Sequence, residues 1–126
     1  MSDVAYFDFA ATTPVDERVA ELVLHFMRAE FGNSGSRTHA YGVAARNAVE
    51  AARRQVGEVV EATDDEVIFT SGATESDNLA ILGLAAYARS IGQTHIVTSS
   101  IEHKAVLEPI EYLESMGFAV TRGAVG

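Results

Sequence analysis

Cysteine is absent from the sequence. Disulfides, thiolate metal sites and a cysteine nucleophile are therefore excluded for these residues, and the lack of disulfides fits a cytoplasmic setting. Positive charge is scarce as well: the formal net charge is -9. Phosphate neutralisation needs clustered Lys and Arg, so direct nucleic-acid binding is not expected. A face for anionic membranes is not expected either. Lysine is scarcer still. Lys104 is the only one, against eight arginines, so any amine chemistry must fall on Lys104 or on the N-terminal amine. Residues 1–8 lack the basic start and apolar run of a signal peptide. The longest apolar stretch, Leu79 to Ala88, is about half of the ~20 residues a membrane span requires.

What is present suits a packed domain or part of one: 126 residues, 48% of them hydrophobic. No repeat, low-complexity tract or linker divides the chain. Val4 to Phe9 reads as a short strand. Thr13 and Pro14 read as the cap and first position of a helix, with Asp16 and Glu17 favouring its positive end. Val15, Val19, Leu22, Val23 and Phe26 share one face of that helix. The polar stretch Phe31 to His39 is a loop. A second amphipathic helix spans about Val43 to Glu61, with Ala45, Val49, Ala52, Val56 and Val59 as its apolar stripe and Arg46, Glu50, Arg53 and Arg54 as its wet side.

From Val67 the pattern alternates. Val67 to Thr70 is a strand, Glu75 to about Arg89 a helix apolar almost all round and so expected to be buried on most sides, and His95 to Thr98 a strand. A helix from Pro109 to Met116 follows, ended by Gly117, and Phe118 to Thr121 begins a further strand. This order predicts an α/β sheet joined by helical crossovers. Ligands of such sheets bind beyond the carboxyl ends of the strands, which directs attention to two loops.

The first is Thr70-Ser-Gly-Ala-Thr-Glu-Ser76. Gly72 permits a close turn, and small residues leave room beside the main chain. The free N–H groups of the next helix favour phosphate, with the hydroxyls of Thr70, Ser71, Thr74 and Ser76 as extra donors. The alternative is a plain helix start capped by Ser71 or Thr74, with Glu75 or Asp77 answering the dipole. It is neither a Walker A loop nor a dinucleotide fingerprint. The second loop is Ser99-Ser-Ile-Glu-His-Lys104. His103 could act as acid or base, stack on a flat cofactor, or simply cap or face solvent. His25, His39 and His95 do not form a metal set with it; His25 and His95 read as structural. Lys104 could in principle form a Schiff base, or be a surface lysine.

Four segments taken together resemble the cysteine desulfurases, a branch of the fold-type I pyridoxal-phosphate (PLP) enzymes with class-V aminotransferase character. They are Tyr6-Phe-Asp-Phe-Ala-Ala-Thr-Thr-Pro14, Phe31-Gly-Asn-Ser-Gly-Ser-Arg-Thr-His39, Val67-Ile-Phe-Thr-Ser-Gly-Ala-Thr-Glu-Ser-Asp-Asn78 and Glu102-His-Lys-Ala-Val-Leu107. Their order and spacing are the family's, and the likeness runs to about Thr121. It implies that residues 1–15 are an N-terminal arm, 16–62 helices, and 63–126 the start of a large domain. It implies that Ala73 and Thr74 hold the phosphate of PLP, with Gly72 shaping the turn. His103 would stack on the pyridine ring and move protons near the substrate. The arm and the Asn33–His39 loop would lie near the mouth of the site and a dimer contact, with no catalytic role carried to Arg37 or His39.

The resemblance also identifies what these residues lack. The family's Schiff-base lysine follows a Ser-x-His motif, an aspartate pairs with the pyridinium nitrogen, and a cysteine carries the sulfur as a persulfide; none is found here. Lys104 corresponds to the lysine after the stacking histidine, and Asp64 and Asp77 do not match the pyridinium partner. The expectation is the N-terminal portion of an enzyme that converts L-cysteine to L-alanine and passes sulfur to an acceptor protein, for Fe–S assembly or thiolation. It would be a homodimer, inactive as these residues alone, and prone to associate through an open sheet edge. The alternatives are a split-enzyme or non-catalytic module binding phosphate or a partner, and a relative such as a selenocysteine lyase.

Overall fold

The computed structural model describes residues 5–125. The chain divides into two units between Ile68 and Phe69. In the first, the strand expected at Val4 to Phe9 is not formed. Val4 lies outside the described residues, residues 5–8 have no regular structure and residues 9–11 turn. The Asp8 carbonyl, which a ladder would need, accepts instead from the Ala11 N–H at 3.0 Å and the Tyr6 hydroxyl at 2.7 Å.

Helix α1 is Glu17–Arg28. Its cap is Asp16 and not Thr13, because the Asp16 carboxylate accepts from the Arg18 N–H at 3.0 Å and also pairs with the Arg18 guanidinium at 2.9 Å. That pairing holds the Asp16 carboxyl below its ordinary range. Helix α2, Ala40–Val60, begins three residues before the expected start because the His39 ring caps it, Nδ1 accepting from the Gly42 N–H at 3.1 Å. Arg46, expected on the wet face, instead donates to the carbonyls of Ser34 and Ser36 at 3.2 and 2.9 Å and straps the polar loop to the helix. The loop lies so close that a Cβ on Gly42 would sit 2.4 Å from the Ser36 carbonyl oxygen.

The expected strand Val67 to Thr70 has no assigned strand structure. The Val67 carbonyl accepts from the Arg53 guanidinium, and the described residues hold one sheet, formed elsewhere.

The second unit carries that sheet. Helix α3, Ala73–Ser90, leads to strand β1, His95–Ser99. Helix α4, Lys104–Ser115, then crosses to strand β2, Ala119–Gly123. The strands are parallel, with His95 opposite Ala119 and Ser99 opposite Gly123. This is the α/β arrangement anticipated from the alternation of patterns. Ala105, Ile110 and Leu113 of α4 and Phe118 are buried and form the core. Arg89 at the end of α3 lies over the Phe118 ring, 5.0 Å from its centroid, and donates to the Met116 carbonyl at 2.7 Å. Gly117, at a φ of 94°, ends α4 as expected.

Two expectations fail in this unit. The apolar helix α3 buries no residue; Leu79, Leu84 and Tyr87 are among its exposed side chains. One packed neighbour, α4, covers only one stripe of a helix that is apolar on several. Helix α4 also starts five residues before the expected Pro109, so that proline lies inside it.

Candidate functional site

Among the described residues, three of the four α-helices have a side-chain cap: Asp16 on α1, His39 on α2 and His103 on α4. Helix α3 begins differently. Its N-cap is Gly72, which has no side chain to offer, and neither Ser71 nor Thr74 fills the role. The first intrahelical bond runs from the Ser76 N–H to the Gly72 carbonyl at 3.1 Å. The N–H groups of Ala73, Thr74 and Glu75 therefore have no acceptor among the described residues. Gly72 is extended, at a φ of 163°, and a Cβ there would meet nothing within 4 Å. It is the open space, rather than the backbone angle, that suits glycine: a ligand can approach the main chain.

The surrounding side chains are mostly spoken for. The Ser71 N–H and hydroxyl both donate to the Glu75 carboxylate at 2.7 Å, which keeps the Glu75 carboxyl below its ordinary value. The hydroxyls of Thr70 and Ser76 lie 2.6 Å apart, and both reach the Gly72 carbonyl, at 3.1 and 3.3 Å. Of the four hydroxyls proposed as donors, only that of Thr74 has no partner among the described residues. What remains is three N–H groups and one hydroxyl around the positive end of an 18-residue helix, a donor set fitted to a phosphate.

His103 follows the carboxyl end of β1 and caps α4. Its Nδ1 accepts from the Ala105 N–H at 3.1 Å, which places the ring proton on Nε2. The residue is thus a cap whose ring is exposed. Thr74 and His103 line one open cleft of about 400 Å³ together with Asn78, Leu82, Lys104 and Tyr112. Gly72 and Ala73 are not in that lining; they belong to the turn that leads into it. None of the other histidines is in that lining: in the first unit His25 lies 3.6 Å from Glu30 and His39 caps α2, and in the second His95 bonds the Thr121 hydroxyl at 2.8 Å. No cluster of His, Cys, Asp or Glu suited to a metal occurs among the described residues. No helix among them is long and apolar enough to cross a membrane.

Comparison with known proteins shows the family of the chain. The profile of the aminotransferase class-V family matches residues 5–125. The chain belongs to that family. Within it, the chain is 57% identical over 118 residues to the cysteine desulfurase IscS of Stutzerimonas stutzeri, covering 92% of this chain and 29% of that protein. Identity to the IscS of Shewanella loihica is 54% with the same coverage. The chain thus spans under a third of the length of the curated relatives it matches. Among solved structures, DndA from Streptomyces lividans superposes with a TM-score of 0.77 at 59% identity, covering 94% of this chain and 33% of that one. SspA in complex with cysteine gives 0.83 at 43% identity, covering 94% and 34%. The fold is that of the class-V aminotransferases, in agreement with the fold-type I architecture anticipated above.

One residue that sequence reasoning left without a role is Asn78. It sits in the same cleft, one turn beyond Thr74, and bridges two helices. The signal was present in the sequence only as a proline inside a helix, and placing Pro109 at the first helical position concealed it.

Proposed function

We propose that these residues form the phosphate-holding and ring-contacting part of a PLP-dependent cysteine desulfurase, which converts L-cysteine to L-alanine and delivers the sulfur to an acceptor protein. The observation that supports it is the uncapped start of α3, where free N–H groups of Ala73, Thr74 and Glu75 and the Thr74 hydroxyl adjoin the cleft that also holds His103. PLP, when bound, supplies an electron sink for negative charge developing on carbon. The chain's own part is to hold and orient. The turn would take the phosphate through the α3 dipole and the free donors. His103 would lie against the pyridine ring, its orientation fixed by the Ala105 N–H. The Glu75 carboxylate is engaged by the Ser71 hydroxyl and N–H within the turn.

The lysine that would anchor PLP, the aspartate at its ring nitrogen and the cysteine that would carry sulfur are assigned to residues beyond these 126, and the active unit to a cytoplasmic homodimer. Lys104 lines the cleft and is assigned no anchoring role. The test is direct. The full-length gene product is incubated with L-cysteine and PLP, and alanine and sulfide are measured. Release of both, in equal amounts under reducing conditions, is the expected result. Uptake of PLP with transamination of other amino acids and no sulfide would overturn the desulfurase reading.

A further inference from the structure

Pro109 lies six residues into α4 and has no N–H. The acceptor it leaves without a helical partner is the carbonyl of Ala105, four residues earlier. Ala105 is buried, so an orphaned carbonyl there would be costly. The structure fills it from the neighbouring helix: Asn78 Nδ2 donates to the Ala105 carbonyl at 3.3 Å. The same amide nitrogen donates to the Thr74 carbonyl at 2.9 Å, within its own helix. An amide has two N–H bonds, and here one holds each helix. The Thr74 carbonyl belongs to the same peptide group as the Glu75 N–H, one of the free donors at the start of α3. A hydrogen bond to that carbonyl fixes the plane of the peptide and polarises its N–H. The Ala105 end is equally well placed, since the Ala105 N–H is the group that orients His103.

We propose that Asn78 is a positioning residue that couples the phosphate turn to the ring-bearing start of α4 by occupying the carbonyl vacated by Pro109. The stabilising half of this stands on the hydrogen bonds alone; the ligand half rests on the PLP reading given above. The coupling is specific to the pair. With Pro109 replaced by alanine, a helical N–H becomes available for the Ala105 carbonyl, and Asn78 is no longer needed there.

A double-mutant cycle on the full-length protein tests it, with N78A, P109A and N78A/P109A compared with the parent. Thermal unfolding and PLP affinity by fluorescence are measured for each, with pyridoxal as the phosphate-free control. N78A should lower the unfolding midpoint by about 2 °C, the effect of one orphaned buried carbonyl in a protein of the relatives' length, and weaken PLP about tenfold. In the P109A background the same substitution should leave the midpoint nearly unchanged yet still weaken PLP, because the Thr74 contact is still lost. Equal loss of stability in both backgrounds overturns the bridge. Recovery of PLP affinity together with stability in N78A/P109A overturns the positioning role and leaves Asn78 a structural residue. If the parent protein takes up no PLP, the cofactor reading fails, and the unfolding cycle alone confirms or overturns the bridge.

Discussion

Replacing Thr74 by valine exchanges one hydroxyl of the phosphate turn for a methyl group and changes little else. Valine keeps the shape and β-branching of threonine, so the helix start is retained. The Thr74 hydroxyl has no partner among the described residues, so no internal hydrogen bond is lost, and stability should change by no more than about 0.5 kcal/mol. The loss falls on the ligand. A hydrogen bond to a charged group contributes roughly 1.5–3 kcal/mol. The cleft is open to water, which places the value at the lower end, or about a tenfold weakening of PLP. The three N–H donors of Ala73, Thr74 and Glu75 are backbone groups and survive the change, so binding should be reduced and not abolished. PLP titration by fluorescence provides the measurement, with pyridoxal, which has no phosphate, as the control. Ser76→Ala supplies a contrast, since the Ser76 hydroxyl is engaged by Thr70 and Gly72. It should affect the order of the turn more than the ligand. An equal loss for PLP and pyridoxal in Thr74→Val, or no loss at all, would refute the assignment of the turn to phosphate.

Further outcomes are expected. His103→Asn should keep α4 intact, because asparagine is a good helix cap, whereas His103→Ala should cost about 1 kcal/mol of stability; both should lose the ring contact, so only the alanine variant lowers the unfolding midpoint while both weaken PLP. Gly42→Ala should destabilise the first unit by roughly 1–3 kcal/mol, as expected of overpacking, because its Cβ would fall 2.4 Å from the Ser36 carbonyl oxygen; urea unfolding followed by circular dichroism reads this. The carboxyls of Asp16, Asp65, Glu66, Glu75 and Glu114 are all held below their ordinary values in the folded state. Their contributions are present above those ordinary values, 3.8 for the aspartates and 4.5 for the glutamates, and are lost as pH falls through the lower folded ones. A scan of unfolding midpoint against pH should therefore decline below about pH 4.5, and Glu75→Gln should make that decline shallower.

The sequence made the site more legible than the elements around it. The small-residue turn and the loop histidine were recognisable because their chemistry is local: a glycine, a run of hydroxyls and a helix start occupy consecutive positions. The helix boundaries were set by side chains whose partners had to be known. Asp16 displaced Thr13 as a cap because Arg18 lies within reach of it, and His39 and His103 each moved a helix start several residues earlier by capping through Nδ1. Histidine is not among the strong capping residues, so propensity alone does not suggest it. The missing strand at Val67 to Thr70 has a similar origin. Its pattern of Val, Ile and Phe fits a strand, but a strand is formed by pairing, and among the described residues the partner of the Val67 carbonyl is an arginine. The exposure of α3 has the same origin: periodicity reports which faces are apolar, and among the described residues the helix packed on them is α4.

The tautomer of His103 narrows what the ring can do. Acceptance of the Ala105 N–H at Nδ1 leaves Nε2 protonated and the neutral ring a donor on its exposed side. In that state the ring can stack on a flat partner or donate a hydrogen bond, and it has no free lone pair with which to remove a proton. To act as a base at Nε2 it must carry its proton on Nδ1, which ends the bond to Ala105 and uncaps α4. Protonation of both nitrogens has the same structural consequence. A proton-moving role for His103 is thus tied to the loosening of the first turn of α4, whereas stacking is compatible with the helix as it stands. Amide exchange at Ala105 separates the two. A role confined to stacking leaves that N–H equally protected with and without substrate, and a proton-moving role requires it to open during turnover.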